Sequence, residues 1–305
     1  MTMLIHIGYP KAASTWLQNV VFSDEKAGFF APWGLPSGEA TEQFVIANAF
    51  KFSAENARQA FTAGLAEAQR RNLVPVISQE TLIGSQIRGC YWGKEVADRM
   101  AATFPDAKIL MVIREQKATI LSSYREHIKM GETTTLDRFI GAYDRKPGFG
   151  PPCQLDYLEY DRTIAYYHNL FGAENVLVLP FELLRHNLQD FGDKIFHFVG
   201  LENQLNYSQT AKNVGCKGAT LELRRQFNFF CQGGDFSGKK PPITWRIAQK
   251  LSAASDRFIS QDRHDRTEAK FKQFIAEAVG DIFRESNQNT SQSIGLDLES
   301  WGYDY

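Results

Sequence analysis

The sequence predicts an α/β protein in which a central parallel β-sheet is flanked by helices. Three features carry this prediction: an apolar strand that turns through a short loop into a helix, further apolar runs of strand length, and helical stretches between them. Strands that alternate with helices are typical of parallel sheets, because each crossover is long enough to hold a helix. No low-complexity linker interrupts the 305 residues, so we expect one domain over 1–305.

The first strand, Leu4–Ile7, leads into a loop that holds one lysine, Lys11, and then into a helix entered through Ser14 and Thr15. Main-chain N–H groups at the start of a helix are unpaired, and the helix dipole adds partial positive charge there. Lys11 adds a full positive charge, and the two hydroxyls add hydrogen-bond donors. This turn is therefore predicted to bind phosphate.

The position of the lysine distinguishes this loop from an ATP-binding loop. A Walker A loop carries its lysine directly before the serine or threonine that holds magnesium. Here Lys11 lies three residues before Ser14, and Ala13 occupies the place of the Walker lysine. A lysine this early in the loop would reach the distal end of a short phosphate chain.

Two later strands end in residues that suit the same site. Val74–Ser78 is followed by Glu80, and the buried run Lys108–Ile113 ends in Arg114. Ligands of open α/β sheets bind beyond the carboxyl ends of the strands, so both side chains are expected on the rim that carries the lysine loop. The guanidinium fork of Arg114 suits a dianionic phosphate, and Ser122 can add a hydroxyl about two helical turns later. A kinase should instead carry an acidic residue on such a strand to hold magnesium.

The segment Gly8–Leu17 resembles the 5′-phosphosulfate loop of the sulfotransferases that use 3′-phosphoadenosine 5′-phosphosulfate (PAPS). Arg114 and Ser122, which have seven residues between them, resemble the 3′-phosphate element of that family. Glu80 is similar to the glutamate that follows the second strand in many carbohydrate and bacterial members. The loop departs at Ala13, where the family usually has glycine. Alanine fits if this residue has helical φ and ψ, but not if the loop requires a positive φ.

The resemblance implies a P-loop-like fold and PAPS as the donor substrate. It also implies a donor site that includes a Lys-Gly step, similar to the one that closes over the 3′-phosphate in cytosolic members; this step could equally be an ordinary turn into a helix. The donor residues that we expect are Lys11, Ala12, Ala13, Ser14, Thr15, Trp16, Arg114, Ser122, Lys217 and Gly218.

The implied reaction is an in-line displacement in which an acceptor hydroxyl, less readily an amine, takes the sulfuryl group. Glu80 is the expected general base, since an alcohol must lose its proton to attack. Lys11 is expected to stabilise the charge on the leaving 3′-phosphoadenosine 5′-phosphate (PAP). His127 is the best alternative base. No metal is required, and the acceptor is expected to be a carbohydrate or another small hydroxylated metabolite.

Two other functions stay open. A P-loop kinase or NTPase would bind Mg-ATP, although Ala13 and Arg114 disfavour it. A non-catalytic member would bind the nucleotide as a sensor or scaffold without transfer. Ala13 is the one residue that favours this second alternative.

Composition and sequence pattern disfavour several classes of partner and of site. With 43% hydrophobic residues, 23% charged residues and a net charge of −1, no broad positive field for nucleic acid or an anionic membrane is expected. No apolar run approaches the ~18 residues of a membrane span, and the first strand begins at once, so we expect a cytoplasmic enzyme. The cysteines form no C-x-x-C pair, which predicts free thiols rather than a zinc site; they are Cys90, Cys153, Cys216 and Cys231.

Overall fold

The computed structural model describes residues 2–142, 150–203, 205, 218–230 and 258–305. Within these residues the chain forms a five-stranded sheet whose strands all run parallel, in the order β2-β3-β1-β4-β5. The strands are β1 (Leu4–His6), β2 (Phe29–Phe30), β3 (Val74–Ser78), β4 (Lys108–Ile113) and β5 (Val176–Pro180). The predicted α/β class with a parallel central sheet is confirmed.

Strand β1 lies at the centre of the sheet. Its first residue, Leu4, is opposite Val76 of β3 on one side and Lys108 of β4 on the other. Every residue of β1 and β3 is buried. This uniform burial explains why the strands are apolar runs without alternation, since helices cover both faces of a parallel sheet.

The edge strand β2 was not predicted. It has two residues, Phe29 and Phe30, which pair with Val74 and Pro75 at the start of β3. Two residues are too few to produce a recognisable strand pattern. The run before Arg114 is therefore the fourth strand along the chain.

The α-helices alternate with the strands and then follow the sheet. They are α1 (Ser14–Trp16), α2 (Gly38–Ala40), α3 (Ala54–Arg71), α4 (Gly93–Thr103), α5 (Gln116–Lys129), α6 (Leu136–Ile140), α7 (Tyr160–Phe171), α8 (Phe181–His186), α9 (Leu188–Val199), α10 (Gly218–Phe230), α11 (Gln261–Val279) and α12 (Arg284–Ile294). Helix α1 continues without a break as the π-helical turn Leu17–Val21.

Two helix layers enclose the sheet. Helices α3, α4 and α7 pack side by side, with α3 against β3 and α7 against β4 and β5. On the other face α9 packs against β5, and its Phe191 meets Trp16 of α1 edge-on. Crossovers between parallel strands are as a rule right-handed. Helices on both faces are therefore expected here, because the chain moves one way from β1 to β2 and the opposite way through the later strands.

Helix α5 is anchored near both of its ends by the C-terminal segment. Close to its start, Lys117 forms an ion pair with Asp304 at 2.8 Å, and the Gln116 amide donates to Asn287 at 2.6 Å. Towards its end, Arg125 forms an ion pair with Glu268 of α11. Residues 261–304 therefore help to hold the helix that follows β4 in position.

Among the described residues, no helix combines the length and the apolar character needed to span a membrane.

Candidate functional site

The carboxyl ends of β1, β3 and β4 meet at one rim of the sheet. From β1 the chain builds β2 and β3 on one side and then crosses to β4 and β5 on the other. Ligands of open α/β sheets bind at the point where the strand order reverses in this way. The loop after β1, residues 8–13, lies at this point.

Backbone hydrogen bonds fasten the start of this loop to β4. The N–H of Ile7 donates to the Leu110 carbonyl at 3.1 Å, and the N–H of Tyr9 donates to the Val112 carbonyl at 3.3 Å. Ala12 is fully buried and packs in the hydrophobic core, which also holds the loop in place.

The loop then turns through two residues with positive φ, Lys11 at 71° and Ala13 at 67°. Neither is glycine, and the left-handed conformation costs a residue with a Cβ about 1–2 kcal/mol. Because Ala13 has a positive φ, glycine would fit this position better than alanine. The departure from the usual loop sequence has a structural cost here.

The hydroxyl and tryptophan positions after the loop differ in exposure. Ser14 is buried, and its Oγ has no hydrogen-bond partner among the residues that the structure describes. Thr15 is exposed, and Trp16 is half-buried against Phe191. A buried hydroxyl without a partner is unfavourable, so a ligand oxygen that bonds to it would be stabilising.

Lys11 contacts the helix after β4. Its Nζ lies 3.1 Å from Oε2 of Glu126, and Oε1 of the same carboxylate lies 3.4 Å from Lys129. Burial alone would raise the pKa of Glu126, but the attraction of the two lysines outweighs it and the pKa is lowered. The ammonium group of Lys11 therefore pairs with a carboxylate of the protein itself.

Arg114 lies beside the same loop. Its Nη1 donates to the Lys11 carbonyl at 3.1 Å, and its guanidinium lies 4.9 Å from the centre of the Phe181 ring. Burial lowers the pKa of Arg114, although Glu182 acts in the opposite direction. No carboxylate of the described residues lies within 4.0 Å of this guanidinium. A half-buried cation without such a partner favours the binding of an anion.

Ser122 shares a helix face with Glu126. The two residues are four apart on α5, so both point to the side that meets Lys11. Ser122 is half-buried. Lys11 and Arg114 thus lie together at the rim, and Ser122 lies on the face of α5 that meets Lys11.

Glu80 begins a short 3-10 helix after β3 and is half-buried. Its Oε2 accepts a hydrogen bond from Nε2 of Gln18 at 3.2 Å, and the same nitrogen donates to Oγ of Ser78 at 3.2 Å. The side chain of Gln18, from the helix that follows the lysine loop, therefore fixes the carboxylate relative to β3.

A buried histidine, His6, extends this series of side-chain hydrogen bonds. Nδ1 of His6 lies 2.8 Å from Oγ of Ser78, and both residues are fully buried. Burial lowers the pKa of His6 to about 3, so the ring is neutral. The series of hydrogen bonds from His6 through Ser78 and Gln18 to Glu80 links the core of the sheet to the expected base.

The alternative base, His127, lies on a different face of α5 from Glu126. It is buried, its Nδ1 lies 2.7 Å from the Ile87 carbonyl, and its ring packs on Phe139. Burial lowers the pKa of His127. Among the described residues its contacts are with Ile87 and Phe139 and not with the lysine loop, and its role as a base stays a prediction.

The Lys-Gly step is only half described. Lys217 lies outside the described residues. Gly218 begins α10, where a Cβ would come within 3.0 Å of the Glu268 main-chain nitrogen. Close packing against α11 is therefore sufficient to explain this glycine.

Sequence reasoning missed Glu126 and Gln18. A signal for each exists: Glu126 lies four residues after Ser122, and Gln18 lies four residues after Ser14. Residues at this spacing share a helix face, so each faces the side of its helix that carries a predicted ligand group. The identity of their partners depends on how the helices approach each other.

The sequence matches no protein-family model and no curated protein. Two solved structures with low similarity are the sulfotransferase domain of the Synechococcus PCC 7002 olefin synthase and mouse sulfotransferase SULT7A1 complexed with PAP. The first has a TM-score of 0.40 at 12% identity and covers 83% of this chain and 94% of that chain. The second has a TM-score of 0.38 at 13% identity and covers 94% of this chain and 88% of that chain.

A third structure, the sulfotransferase from Alicyclobacillus acidocaldarius, matches almost from end to end. Its TM-score is 0.54 at 16% identity, and the match covers 99% of this chain and 98% of that chain. Together with the parallel sheet and its strand order, this likeness establishes the architecture. The chain has the sulfotransferase fold.

Proposed function

We propose that the protein is a PAPS-dependent sulfotransferase that moves a sulfuryl group to a hydroxyl, less readily an amine, of a carbohydrate or small metabolite. The observation that supports this proposal is the contact between Arg114 and the Lys11 carbonyl at the rim where β1 and β4 end, beside the face of α5 that carries Ser122. Two cations and a hydroxyl in one place suit a ligand with phosphate groups at two positions.

The donor would bind along the loop and the start of α5. The 5′-phosphosulfate would lie on the main chain of residues 12–16, with Lys11 and the hydroxyls of Ser14 and Thr15. Arg114 and Ser122 would take the 3′-phosphate. Both the unpartnered Ser14 hydroxyl and the Arg114 guanidinium, which has no described carboxylate within 4.0 Å, fit an anionic ligand.

In the reaction, the acceptor oxygen forms a bond to sulfur while the bond between sulfur and the bridging phosphate oxygen breaks. Glu80 accepts the proton that the acceptor hydroxyl loses. Lys11 stabilises the negative charge that develops on the bridging oxygen. The products are the sulfated acceptor and PAP, and the proton on Glu80 passes to solvent.

Isothermal titration with PAP, 5′-AMP and Mg-ATP on the same sample tests the donor site. We expect PAP to bind more tightly than AMP, because AMP lacks the phosphate assigned to Arg114 and Ser122. Tighter binding of Mg-ATP, dependent on magnesium, would replace this proposal with a kinase or NTPase.

A transfer assay separates an enzyme from a nucleotide-binding relative without activity. PAP release from PAPS is measured across hydroxylated acceptors, in wild type and in Lys11→Ala. We expect release that depends on an acceptor and falls by orders of magnitude in the variant. Lys26→Ala, at an exposed position before β2, is the matched control and should retain the wild-type rate. Binding of PAP without transfer to any acceptor would favour the non-catalytic alternative.

A further inference from the structure

The imidazole ring of His6 lies between the lysine loop and the strand that leads to the expected base. His6 ends β1, and its register partner on β3 is Ser78. The two side chains lie on the same face of the sheet, because Nδ1 of the ring is 2.8 Å from Oγ of Ser78. Glu80 follows Ser78 by two residues, so this nitrogen of the ring faces the side of the site that holds the carboxylate.

The other nitrogen of the ring lies against the lysine loop. A Cβ on Gly8 would come within 2.7 Å of Nε2 of His6, which is shorter than a van der Waals contact. The φ of Gly8 is outside the left-handed region, so the ring and not the backbone conformation explains this glycine. The ring has little room to retreat, because it is fully buried and its centre lies 5.8 Å from that of the buried Phe22 ring.

Packing alone does not explain a histidine at this position. Nε2 of His6 is buried and has no hydrogen-bond partner among the residues that the structure describes. A buried polar atom without a partner is unfavourable, and a leucine or phenylalanine side chain would fill the core without one. The atom that favours histidine here is therefore Nδ1, which is bonded to Ser78.

The hydrogens of this network can be assigned by counting donors and acceptors. Nε2 of Gln18 has two hydrogens, which it donates to Oε2 of Glu80 and to Oγ of Ser78, each at 3.2 Å. The Ser78 hydroxyl has one hydrogen of its own, and Nδ1 of His6 is the described acceptor for it. Burial lowers the pKa of His6 to about 3, so the ring is neutral and its proton is on Nε2. The opposite tautomer would leave both the serine hydrogen and the Nε2 lone pair unpaired.

We propose that His6 is a positioning residue for the transfer reaction. It holds the Glu80 carboxylate in place through the hydroxyl of Ser78 and the amide of Gln18. Its contact with Gly8 couples that carboxylate to the lysine loop, since a displaced ring loses its bond to the serine. The inference rests on the proposed function, because Glu80 acts as a base only if the protein transfers a sulfuryl group.

The coupling is tested with Gly8→Ala, alone and combined with His6→Asn. The added methyl group must displace the ring, so we expect kcat to fall at least about tenfold in Gly8→Ala. Asparagine keeps an amide oxygen near the place of Nδ1 but has no atom in the place of Nε2, so it leaves room for the methyl group. Gly8→Ala should therefore lower kcat less than about threefold when it is added to His6→Asn. Gly38→Ala is the matched control, because a Cβ there meets no other group within 4 Å.

The polar link is tested separately with Ser78→Ala. We expect kcat to fall about threefold to tenfold while the affinity for PAP stays unchanged. The value of kcat is measured as PAP release at saturating PAPS, with the acceptor that gives the highest rate in the transfer assay. Ser286→Ala, which removes a buried hydroxyl bonded to Asp161, is the control. An unchanged kcat in a folded Ser78→Ala, or an equal loss from Gly8→Ala in both backgrounds, would overturn the proposal.

A measurement on the wild type needs neither activity nor variants that fold. In a ¹⁵N spectrum at neutral pH the His6 ring should be neutral, with its proton on Nε2 and an accepting Nδ1. A charged ring, or a ring with its proton on Nδ1, would overturn the proposal. Failure of the wild type to transfer to any acceptor would overturn the proposed function instead. The side-chain amide resonances of Gln18 would then decide the network, since Ser78→Ala should shift them and an unshifted amide would contradict it.

Discussion

Lys11 Nζ and Glu126 Oε2 lie 3.1 Å apart, and this ion pair joins the loop after β1 to the helix after β4. The carboxylate lies where an anionic donor group is proposed to bind, so the pair and the donor compete for the same ammonium. Both side chains are partly exposed, which limits the contribution of the pair to about 1 kcal/mol.

Replacing Glu126 by glutamine should therefore tighten PAP binding by up to about fivefold, because Lys11 no longer has to leave a carboxylate. Titration calorimetry measures the change. Glu67→Gln on α3, which removes a carboxylate paired with Arg70 at the surface, is the control and should leave the affinity unchanged. Weaker PAP binding by the Glu126 variant would mean that the carboxylate holds Lys11 in its binding position instead.

Replacing Arg114 by alanine should remove the preference for PAP over 5′-AMP. Hydrogen bonds to a charged group contribute about 1.5–3 kcal/mol, so PAP affinity should fall about tenfold to hundredfold while AMP affinity changes little. Both nucleotides are titrated into the variant and into Arg138→Ala, an exposed arginine on α6. An equal loss for the two nucleotides would contradict the assignment of Arg114 to the 3′-phosphate.

Gln18 should affect the rate of transfer rather than the binding of the donor. Its amide nitrogen donates to both Glu80 and Ser78, so Gln18→Met removes the group that orients the carboxylate. We expect kcat to fall at least tenfold, less than in Glu80→Gln, with PAP affinity unchanged. Steady-state kinetics and PAP titration separate the two effects, and Gln273→Met on exposed α11 is the control. A normal kcat in Glu80→Gln would exclude Glu80 as the base and turn attention to His127.

Ala13→Gly should stabilise the protein. The left-handed conformation costs alanine about 1–2 kcal/mol, and glycine recovers most of this while losing about 0.4–1 kcal/mol through its freer unfolded chain. The expected gain in the free energy of unfolding is up to about 1 kcal/mol, measured by urea denaturation. Ala63→Gly, at an exposed position inside α3, should change stability by about 1 kcal/mol in the opposite direction. Destabilisation by Ala13→Gly would show that the loop does not store this strain.

His6 should make stability depend on pH. Burial lowers its pKa in the folded protein to about 3, below the 6.5 of an ordinary histidine, so the unfolded chain binds this proton first. The contribution of His6 is therefore fully present above about pH 6.5 and is lost as the pH falls towards 3, at up to about 1.4 kcal/mol per pH unit. Urea denaturation between these pH values should show a smaller slope in His6→Gln than in wild type. His186→Gln, at an exposed position, should keep the wild-type slope.

The sequence was sufficient to place Lys11, Glu80 and Arg114 on one rim. Each follows an apolar run, and the carboxyl ends of parallel strands meet at the same edge of a sheet. The pattern of apolar runs and their order along the chain are enough for this prediction, so no knowledge of side-chain packing is required. Strand β2 was not predicted because its two residues are too few to form such an apolar run.

The remaining features depend on tertiary contacts that a local pattern does not contain. The positive φ of Ala13 arises where the loop, bonded to β4 through Tyr9, must turn back into α1. Glu126 and Gln18 lie on predictable helix faces, but their partners follow from the approach of α5 to the loop and of α1 to β3. The order of the residues along the chain does not specify these distances.

Helix α5 carries Ser122 and Glu126, and contacts with residues 261–304 help to hold it in position, including Lys117 with Asp304 and Arg125 with Glu268. During synthesis the lysine loop is translated well before residues 261–304, which hold the partners of Lys117 and Arg125. Competence to bind a nucleotide should accordingly appear late, after the sheet has formed. A ribosome-bound chain that lacks residues 261–304 can pair the strands while α5 still lacks its contacts with Glu268, Asn287 and Asp304.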